Sequence, residues 1–258
     1  MTNLKKQIPL MAHLVLGYPT LPESLETAGA YIAAGVQILE LQIPFSHPTA
    51  DGPVITAACQ EAALRQQVTV ADCLEAIGRL RERFPQQEII VMSYLNRVFA
   101  YGPERFAEAL DGLGIRHLIV PDLPVDTALA LRLQGRSGRL RLAPVLAANV
   151  RDERLEQLLR GSFDFFYLMA DFKITGSSFS LHPRLKTIIA RIRAACPDAR
   201  IGIGFGISTP EQALLAAGEA DLAIVGSALI RAKEEGRLNE FLSNLRAGFE
   251  AREHVAAG

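Results

Sequence analysis

Two acidic residues, Glu40 and Asp51, have the types and spacing of a proton-transfer pair. Glu40 interrupts the apolar run Val36–Ile43, and Asp51 follows eleven positions later beside Gly52 and Pro53. A carboxylate buried in an apolar segment is costly unless it is paired or has a task. Two carboxylates in environments of different polarity can share proton transfer, one as acid and base and the other as an ionised hydrogen-bond acceptor. The sequence therefore predicts catalytic roles for both.

Glycines mark two later segments, Gly204-Phe-Gly-Ile-Ser208 and Val225-Gly-Ser227. Each follows an apolar run and opens onto a helical pattern. Glycines let backbone N–H groups approach an anion closely, and a helix N-terminus adds a partial positive charge. Either segment alone could be a tight turn, but the two together predict a phosphate site.

Short β-type runs that alternate with amphipathic segments must position these residues. Eight such runs with helices between them predict an α/β protein, a single (β/α)8 TIM barrel of one domain over residues 1–258. The active site of such a barrel lies at the carboxyl ends of its strands, and the glycine segments put the phosphate site at strands 7 and 8. The predicted strands are Pro9–Leu16, Val36–Ile43, Glu88–Tyr94, Arg116–Pro121, Leu140–Leu146, Phe163–Met169, Arg200–Gly204 and Asp221–Val225.

Three helices have explicit start signals. Thr20 with Glu23 three residues later predicts a capping box, and Thr209 with Pro210 predicts the start of a second helix. Asn149 with Asp152 predicts the start of a third. Expected stops at glycine are Gly35, Gly218 and Gly161, respectively.

Both carboxylates also have structural explanations. Glu40 could pair with a basic residue of a neighbouring strand, and Asp51 could be an ordinary turn or capping aspartate. Strand alternation puts Glu40 on one face with Ile38 and Gln42, so Glu40 is expected to look into the barrel mouth. The catalytic prediction for Asp51 depends on that for Glu40.

Composition restricts the classes of protein and partner. A net charge of −1 and the lack of a basic, aromatic-rich stretch indicate neither nucleic acid nor an acidic membrane surface as a partner. Cys59, Cys73 and Cys196 are odd in number and widely spaced, so the sequence predicts reduced thiols and no metal site. The N-terminus shows neither a membrane span nor a signal-type cleavage region, so we expect a cytoplasmic protein.

The segment Leu39–Val54, which contains both carboxylates, resembles the signature of the tryptophan synthase alpha chain family. This resemblance implies retro-aldol cleavage of indole-3-glycerol phosphate to indole and glyceraldehyde 3-phosphate, with no metal or organic cofactor. It also implies a pyridoxal-phosphate-dependent beta chain as a possible partner that receives the indole. Further matching segments are Leu16-Gly17, Met92–Asn96, Ile119–Pro124, Ile174–Gly176, Gly204–Gln212 and Ile224–Ser227.

The resemblance also implies individual roles. Glu40 would protonate indole C3 and take up a glycerol hydroxyl proton, while Asp51 would accept a hydrogen bond from the indole N–H. Tyr94 and Asn96 would lie near the indole pocket, although packing alone explains Tyr94 equally well. Thr175 would help to close the site and position Asp51. The phosphate would be held by Gly176, Gly204, Phe205, Gly206, Gly226 and Ser227.

Several positions depart from the family pattern, mainly in the loops after strands 2 and 6. His47 and Tyr18 stand where the family usually has aspartate, and Gln42 replaces a usual glycine beside Glu40. Asp171 and Lys173 replace a usual arginine and glycine. In the family these loops transmit closure to the beta chain, so we expect coupling to be altered or lost while the carboxylate pair survives.

The departures leave three functions open. The chain could be an indole-3-glycerol phosphate lyase, either as an alpha subunit or as an autonomous enzyme. It could instead be a diverged aldolase that acts on another phosphorylated substrate, since Gln42 could add a polar contact. It could also be a weakly active protein that binds and stimulates a beta chain. A loop histidine such as His47 is most often simply solvated, and its direct part in proton transfer is the less favoured reading.

Overall fold

A computed structural model describes residues 7–127, 130, 133, 138–170, 172–175, 178–204 and 206–256. The strands alternate with helices along most of this chain, as the apolar periodicity predicts. In chain order they are β1 (Ile8–Val15), β2 (Val36–Gln42), β3 (Glu88–Met92), β4 (His117–Ile119), β5 (Arg141–Leu142), β6 (Val145–Ala147), β7 (Phe165–Met169), β8 (Phe172–Thr175), β9 (Ser178–Leu181), β10 (Arg200–Gly204) and β11 (Leu222–Val225).

The helices carry their apolar side chains on one face, and a π-helical turn, Glu61–Arg65, extends the second of them. No helix in the described ranges combines the length and apolarity needed to cross a membrane. The α-helices are α1 (Leu21–Ala33), α2 (Pro53–Gln60), α3 (Val70–Arg83), α4 (Leu95–Tyr101), α5 (Pro103–Gly112), α6 (Asp152–Leu159), α7 (Pro183–Ala195), α8 (Pro210–Glu219), α9 (Ser227–Glu234) and α10 (Leu238–Ala256).

The chain divides into two compact units. The first-half unit comprises residues 13–32 and 38–143, and the second-half unit comprises the described residues up to 12, 33–37 and those from 144 onward. In the first-half unit, β2, β3, β4 and β5 pair in parallel in that order. In the second-half unit, β1, β11, β10, β7 and β6 pair in parallel in that order.

Strand order identifies the fold class. The hydrogen-bonded order is β5-β4-β3-β2-β1-β11-β10-β7-β6, and its two ends, β5 and β6, are consecutive along the chain. In a (β/α)8 barrel, neighbouring strands are parallel and are joined by helices, and the strand order closes on itself. The order seen here has this topology, because the strands at its two ends follow one another in the chain. The predicted TIM-barrel class is therefore confirmed.

Each predicted strand overlaps an observed one, but the fifth is divided. The predicted strand Leu140–Leu146 corresponds to β5 and β6, which are separated by Ala143 and Pro144, and β6 extends one residue further, to Ala147. Ala143 N–H donates to the carbonyl of Leu118. Proline has no N–H to donate and cannot take part in a ladder in the same way. The interruption at Pro144 therefore follows from its chemistry.

Two of the three predicted helix starts are confirmed. The Thr20 hydroxyl lies 3.0 Å from Oε1 of Glu23 at the start of α1. Thr209 caps α8, where its hydroxyl accepts from the N–H of Gln212 at 3.4 Å. The predicted start at Asn149 is wrong, because α6 begins after Arg151 and has no side-chain cap. Polar residues suited to capping also stabilise turns, which explains this error.

A full capping box that was not among the predicted helix starts begins α3. Thr69 accepts from the N–H of Asp72 at 3.2 Å, and Asp72 accepts from the N–H of Thr69 at 2.8 Å. These two bonds satisfy helix-end donors that would otherwise lack partners.

We expect Thr69→Ala to lower the free energy of unfolding by about 1 kcal/mol, because it removes the side-chain half of this box. Urea denaturation at pH 7 measures the change, with Thr187→Ala on α7 as a control for an exposed threonine within a helix. Equal stabilities of the Thr69 variant and the unaltered chain would contradict the expectation.

Candidate active site

Glu40 is fully buried in β2, where its carboxylate faces a histidine. Oε2 of Glu40 lies 3.2 Å from Nδ1 of His13, and both side chains are almost completely removed from solvent. Neither oxygen of Glu40 makes a hydrogen bond of good geometry with another described residue, and Oε2 is held by its close contact with His13. Oε2 therefore faces the imidazole ring, while Oε1 can meet a ligand.

Backbone pairing brings these groups together within the first-half unit. The N–H of Leu16, just after β1, donates to the carbonyl of Gln42 at 3.0 Å, and Ile43 N–H donates to the carbonyl of Met92 at 2.8 Å. These bonds hold the carboxyl ends of the strands side by side. Strand ends of this kind carry the chemistry in (β/α)8 barrels.

Asp51 lies on the segment between β2 and α2 and is held by two side chains. Nε2 of Gln42 donates to Oδ2 of Asp51 at 2.7 Å, and the hydroxyl of Tyr94 donates to the same oxygen at 2.9 Å. Both bonds end on Oδ2, which leaves Oδ1 to accept from a ligand. Gln42, which departs from the family pattern, therefore makes a direct contact with the second carboxylate.

Tyr94 follows β3, is fully buried and bridges two parts of the Asp51 segment. Its hydroxyl accepts from the N–H of Ala50 at 3.0 Å while it donates to Asp51. The ring also packs 5.6 Å from that of Phe45. Tyr94 thus packs in the interior and also directly positions Asp51.

Burial and mutual charge shift the pKa values of this cluster. Burial lowers the pKa of His13, but the charge and hydrogen bond of Glu40, with smaller effects of Asp51 and Gln42, outweigh it and leave that pKa raised. Burial raises the pKa of Asp51, although His13, Gln42 and Tyr94 oppose the shift. Burial and the Asp51 charge also raise the pKa of Tyr94, which keeps its hydroxyl protonated as a donor.

We expect Tyr94→Phe to lower the free energy of unfolding by about 1–2 kcal/mol, because the part-buried N–H of Ala50 loses its acceptor. Chemical denaturation at pH 7 measures the loss. Tyr101→Phe on α4 is the matched control for removal of a tyrosine hydroxyl. A loss no greater than that of the control would show that the Tyr94 bonds do not stabilise the segment.

The remaining residues predicted for the indole side are placed differently. Asn96 is exposed on α4, and no contact of its side chain with another described residue supports its predicted role. His47 is exposed and contacts Ser46, with 2.8 Å between Nδ1 and Oγ, as the solvated alternative predicts. Thr175 is the last residue of β8, in an antiparallel hairpin with β9 that the strand prediction missed. Asp171 lies outside the described residues.

The glycine segments belong to the second-half unit and differ in which helix N-terminus is open. At α8 the N–H groups of Ser208 and Gln212 are already bonded, to Oε1 of Gln212 and the hydroxyl of Thr209. At α9, Gly226 is the N-cap, has no side-chain cap bond and is followed by Ser227. Free N–H groups at a helix start favour an anion, so α9 fits the predicted phosphate site better than α8 does.

Two of the predicted phosphate residues have structural reasons to be glycine, and two others lie outside the described residues. A Cβ at Gly204 would come within 2.6 Å of the Tyr167 hydroxyl, so close packing alone requires glycine there. Gly206 has φ of 73°, in the left-handed region that glycine adopts without strain. Gly176 and Phe205 lie outside the part of the chain that the structure describes.

The cysteines and acidic residues do not suggest other chemistry. Cys59 and Cys73 are buried free thiols, and burial, with Asp51 as a smaller cause, raises the pKa of Cys59 to about 12. Cys59 therefore stays protonated at neutral pH and is a poor nucleophile. No cluster of His, Cys, Asp or Glu among the described residues is arranged to hold a metal ion.

His13 is the site residue that sequence reasoning missed. It lies in β1 within the apolar stretch Leu10–Leu16, and thus carries the same signal that singled out Glu40. A titratable side chain inside a buried strand is a candidate wherever it occurs.

Comparison with known proteins agrees with this geometry. The family model described as tryptophan synthase alpha chain matches residues 1–254. A tryptophan synthase alpha chain of Chloroflexus aggregans is 36% identical over 241 residues, which cover 93% of this chain and 90% of that protein.

Solved structures lead to the same family. A tryptophan synthase from M. tuberculosis, in an aminoacrylate-bound form, superposes with a TM-score of 0.81 at 32% identity and 94% coverage of both chains. A tryptophan synthase alpha chain from Legionella pneumophila has a TM-score of 0.78 at 26% identity, covering 95% of this chain and 92% of that chain. The chain therefore belongs to the tryptophan synthase alpha chain family, the lyases that cleave indole-3-glycerol phosphate to indole and glyceraldehyde 3-phosphate.

Proposed function

We propose that this chain cleaves indole-3-glycerol phosphate with Glu40 as its acid and base and Asp51 as its fixed anion. The observation that carries the proposal is the carboxylate arrangement. Glu40 is buried with one oxygen 3.2 Å from His13, and Asp51 is fixed through one oxygen by Gln42 and Tyr94. Each carboxylate keeps its second oxygen for a ligand, which a purely structural ion pair would not require.

The proposed reaction uses the Glu40 carboxyl group twice, first to give a proton and then to take up another. Glu40 in its acid form protonates indole C3, which makes that carbon tetrahedral and places positive charge on the ring nitrogen. Oδ1 of Asp51 accepts the indole N–H and stabilises this charge in a buried setting. The Glu40 carboxylate then removes the proton of the glycerol hydroxyl next to C3. The C–C bond breaks, its electrons return to the indole ring, and the hydroxyl carbon becomes the aldehyde.

The phosphate end of the substrate is assigned to the glycine segments. The uncapped N-terminus of α9 at Gly226 and Ser227 supports an anion site, and the left-handed turn at Gly206 fits a loop that approaches an anion. We include Gly176, Gly204 and Phe205 in this site, and Thr175 as the residue that closes over Asp51, because of their match to the family motif. We retain Asn96 at the indole end on the same basis alone.

We also propose that the chain keeps its lyase chemistry when its coupling to a beta chain is altered. Several of the differences from the family pattern lie away from the carboxylate pair, at exposed His47 and at Lys173 of β8, and the two carboxylates themselves match the pattern. The pair itself is intact and is strengthened by Gln42. We place the reaction in the cytoplasm, where the free thiols of Cys59 and Cys73 would persist.

Indole release by the purified chain tests the proposal. The chain is incubated with indole-3-glycerol phosphate, alone and with a tryptophan synthase beta chain, and indole and aldehyde are quantified. Release without the beta chain supports an autonomous lyase, and release only with it supports a subunit role. Stimulation of the beta chain without any cleavage would favour the stimulatory alternative. Absence of cleavage in both mixtures, with turnover of another phosphorylated aldol, would overturn the substrate assignment.

A further inference from the structure

We propose that His13 is a positioning residue that shares one proton with Glu40 and thereby keeps Glu40 able to act as an acid at neutral and mildly alkaline pH. The proposal rests on the proposed role of Glu40 in the cleavage reaction. It assigns His13 no contact with substrate.

The geometry isolates the two groups as a pair. His13 on β1 and Glu40 on β2 are 4% and 0% exposed, and Nδ1 lies 3.2 Å from Oε2. The other polar or charged groups that act on His13 are Asp51 and the Gln42 amide, which are bonded to each other. Among the described residues, the groups that act on the His13 imidazole are thus two carboxylates and one amide.

Charge balance explains why a shared proton fits this site. A buried carboxylate without a counter-charge is strongly unfavourable, and so is a buried imidazolium without a partner. One proton on the pair gives either imidazolium beside carboxylate or imidazole beside carboxylic acid. Both forms have no net charge. The second form is the one that can protonate a carbon atom.

The His13–Glu40 pair carries the same number of protons before and after each turnover. The acid form of Glu40 gives its proton to C3, and its carboxylate recovers one from the substrate hydroxyl. His13 returns to its starting state, so no further acid or base is consumed. Its function is to hold the proton on the pair between turnovers, when the carboxylic acid alone would lose it to solvent.

The direction in which activity should change with pH follows from the raised pKa of His13. That pKa is raised chiefly because Glu40 outweighs the opposing effect of burial. The pair therefore keeps its proton to higher pH than an ordinary histidine does, and loses it as the pH rises through the folded-state value of His13. An ordinary carboxylic acid loses its proton about two pH units below an ordinary imidazolium. Without His13 the site lacks the group that holds the shared proton, so the alkaline limb of the activity should move to lower pH.

The pH dependence of kcat/KM in His13→Gln tests this role. Glutamine retains a hydrogen-bond donor toward Glu40 but cannot carry the proton. We expect the alkaline limb of the profile to move down by about one pH unit or more, which makes kcat/KM about tenfold lower on that limb. On the acid side of the profile we expect kcat/KM to fall by less than about threefold. His117→Gln, at a second buried histidine of the same unit, is the matched control.

A pH profile of His13→Gln parallel to that of the unaltered chain, whatever its height, would overturn the proposal. So would full activity of His13→Gln at every pH, since hydrogen bonding alone would then suffice. The proposal is supported if the alkaline limb of the pH profile shifts in His13→Gln and stays in place in His117→Gln. The control thus separates proton holding from a general effect of replacing a buried imidazole.

A titration by 15N nuclear magnetic resonance provides a readout that needs no turnover. The chain has five histidines, and the His13 resonance is identified by its absence in His13→Gln or, if that variant does not fold, in His13→Phe. We expect it to titrate above about 6.5, the ordinary value, and to move below that value in Glu40→Gln. A midpoint unaffected by Glu40→Gln would overturn the proposal even if His13→Gln failed to fold. A coupled titration without indole release would contradict the proposed substrate but not the shared proton.

Discussion

Glu40→Gln is expected to lower kcat/KM for indole release by about a thousandfold, because an amide can neither donate nor accept the transferred proton. Glutamine has nearly the same size as glutamate, so the fold should tolerate it within the buried site. Steady-state assays at pH 7 with purified protein measure the effect. The variant should still bind the intact substrate, since its phosphate contacts are assigned to other residues.

Glu75→Gln provides the control for this prediction. Glu75 is an exposed partner of Arg79 on α3, and surface ion pairs of this kind contribute little to stability. Its loss should leave kcat/KM unchanged. If Glu40→Gln retained more than about a tenth of the unaltered activity, Glu40 would not be the acid and base.

Asp51→Asn is expected to lower kcat/KM by about a hundredfold, because the indole nitrogen loses its fixed negative partner. The same change should raise the free energy of unfolding at neutral pH. Burial raises the pKa of Asp51, so its charged form destabilises the folded state and the protonated form relieves that penalty as pH falls. Reduced activity with increased stability is typical of a functional residue.

Asp72→Asn should show the opposite pattern. Hydrogen bonds from the side chain and backbone of Thr69 lower the pKa of Asp72, so its contribution to stability is present above the unfolded pKa and lost as pH falls through the folded one. We expect its substitution to weaken the α3 cap by up to about 1 kcal/mol while activity is retained. Parallel urea denaturation and activity assays compare the two variants. Loss of stability in Asp51→Asn would refute the claim that its charge is kept for function.

Much of the fold follows from periodicity in the sequence. Each predicted apolar run overlaps an observed strand because a buried parallel strand needs a continuous apolar segment. The division of the fifth strand at Pro144 was not predicted, although proline offered a local reason for it. The hairpin β8–β9 was also missed. Gly176-Ser177 separates its strands in the sequence, and glycine followed by serine is a dipeptide of two-residue hairpins, so a local signal for this hairpin was present.

The site could be predicted only in part. Glu40 stood out because a charge inside an apolar strand demands an explanation, and Asp51 stood out through the motif around it. The contacts of Gln42 and Tyr94 with Asp51 depend on how three chain segments meet, which no local pattern encodes. His13 carried a visible signal, but its importance comes from the Glu40 carboxylate on the adjacent strand. Pairing across strands is the information that the sequence read alone did not provide.

A single-turnover measurement of C–C cleavage tests the central claim most directly. Enzyme in excess over indole-3-glycerol phosphate isolates the chemical step from product release. We expect indole and glyceraldehyde 3-phosphate to form in equal amounts, and Glu40→Gln and Asp51→Asn each to slow their formation by about a hundredfold or more. Cleavage by both variants at the unaltered rate would contradict the account, because the carboxylate pair would then not perform the reaction.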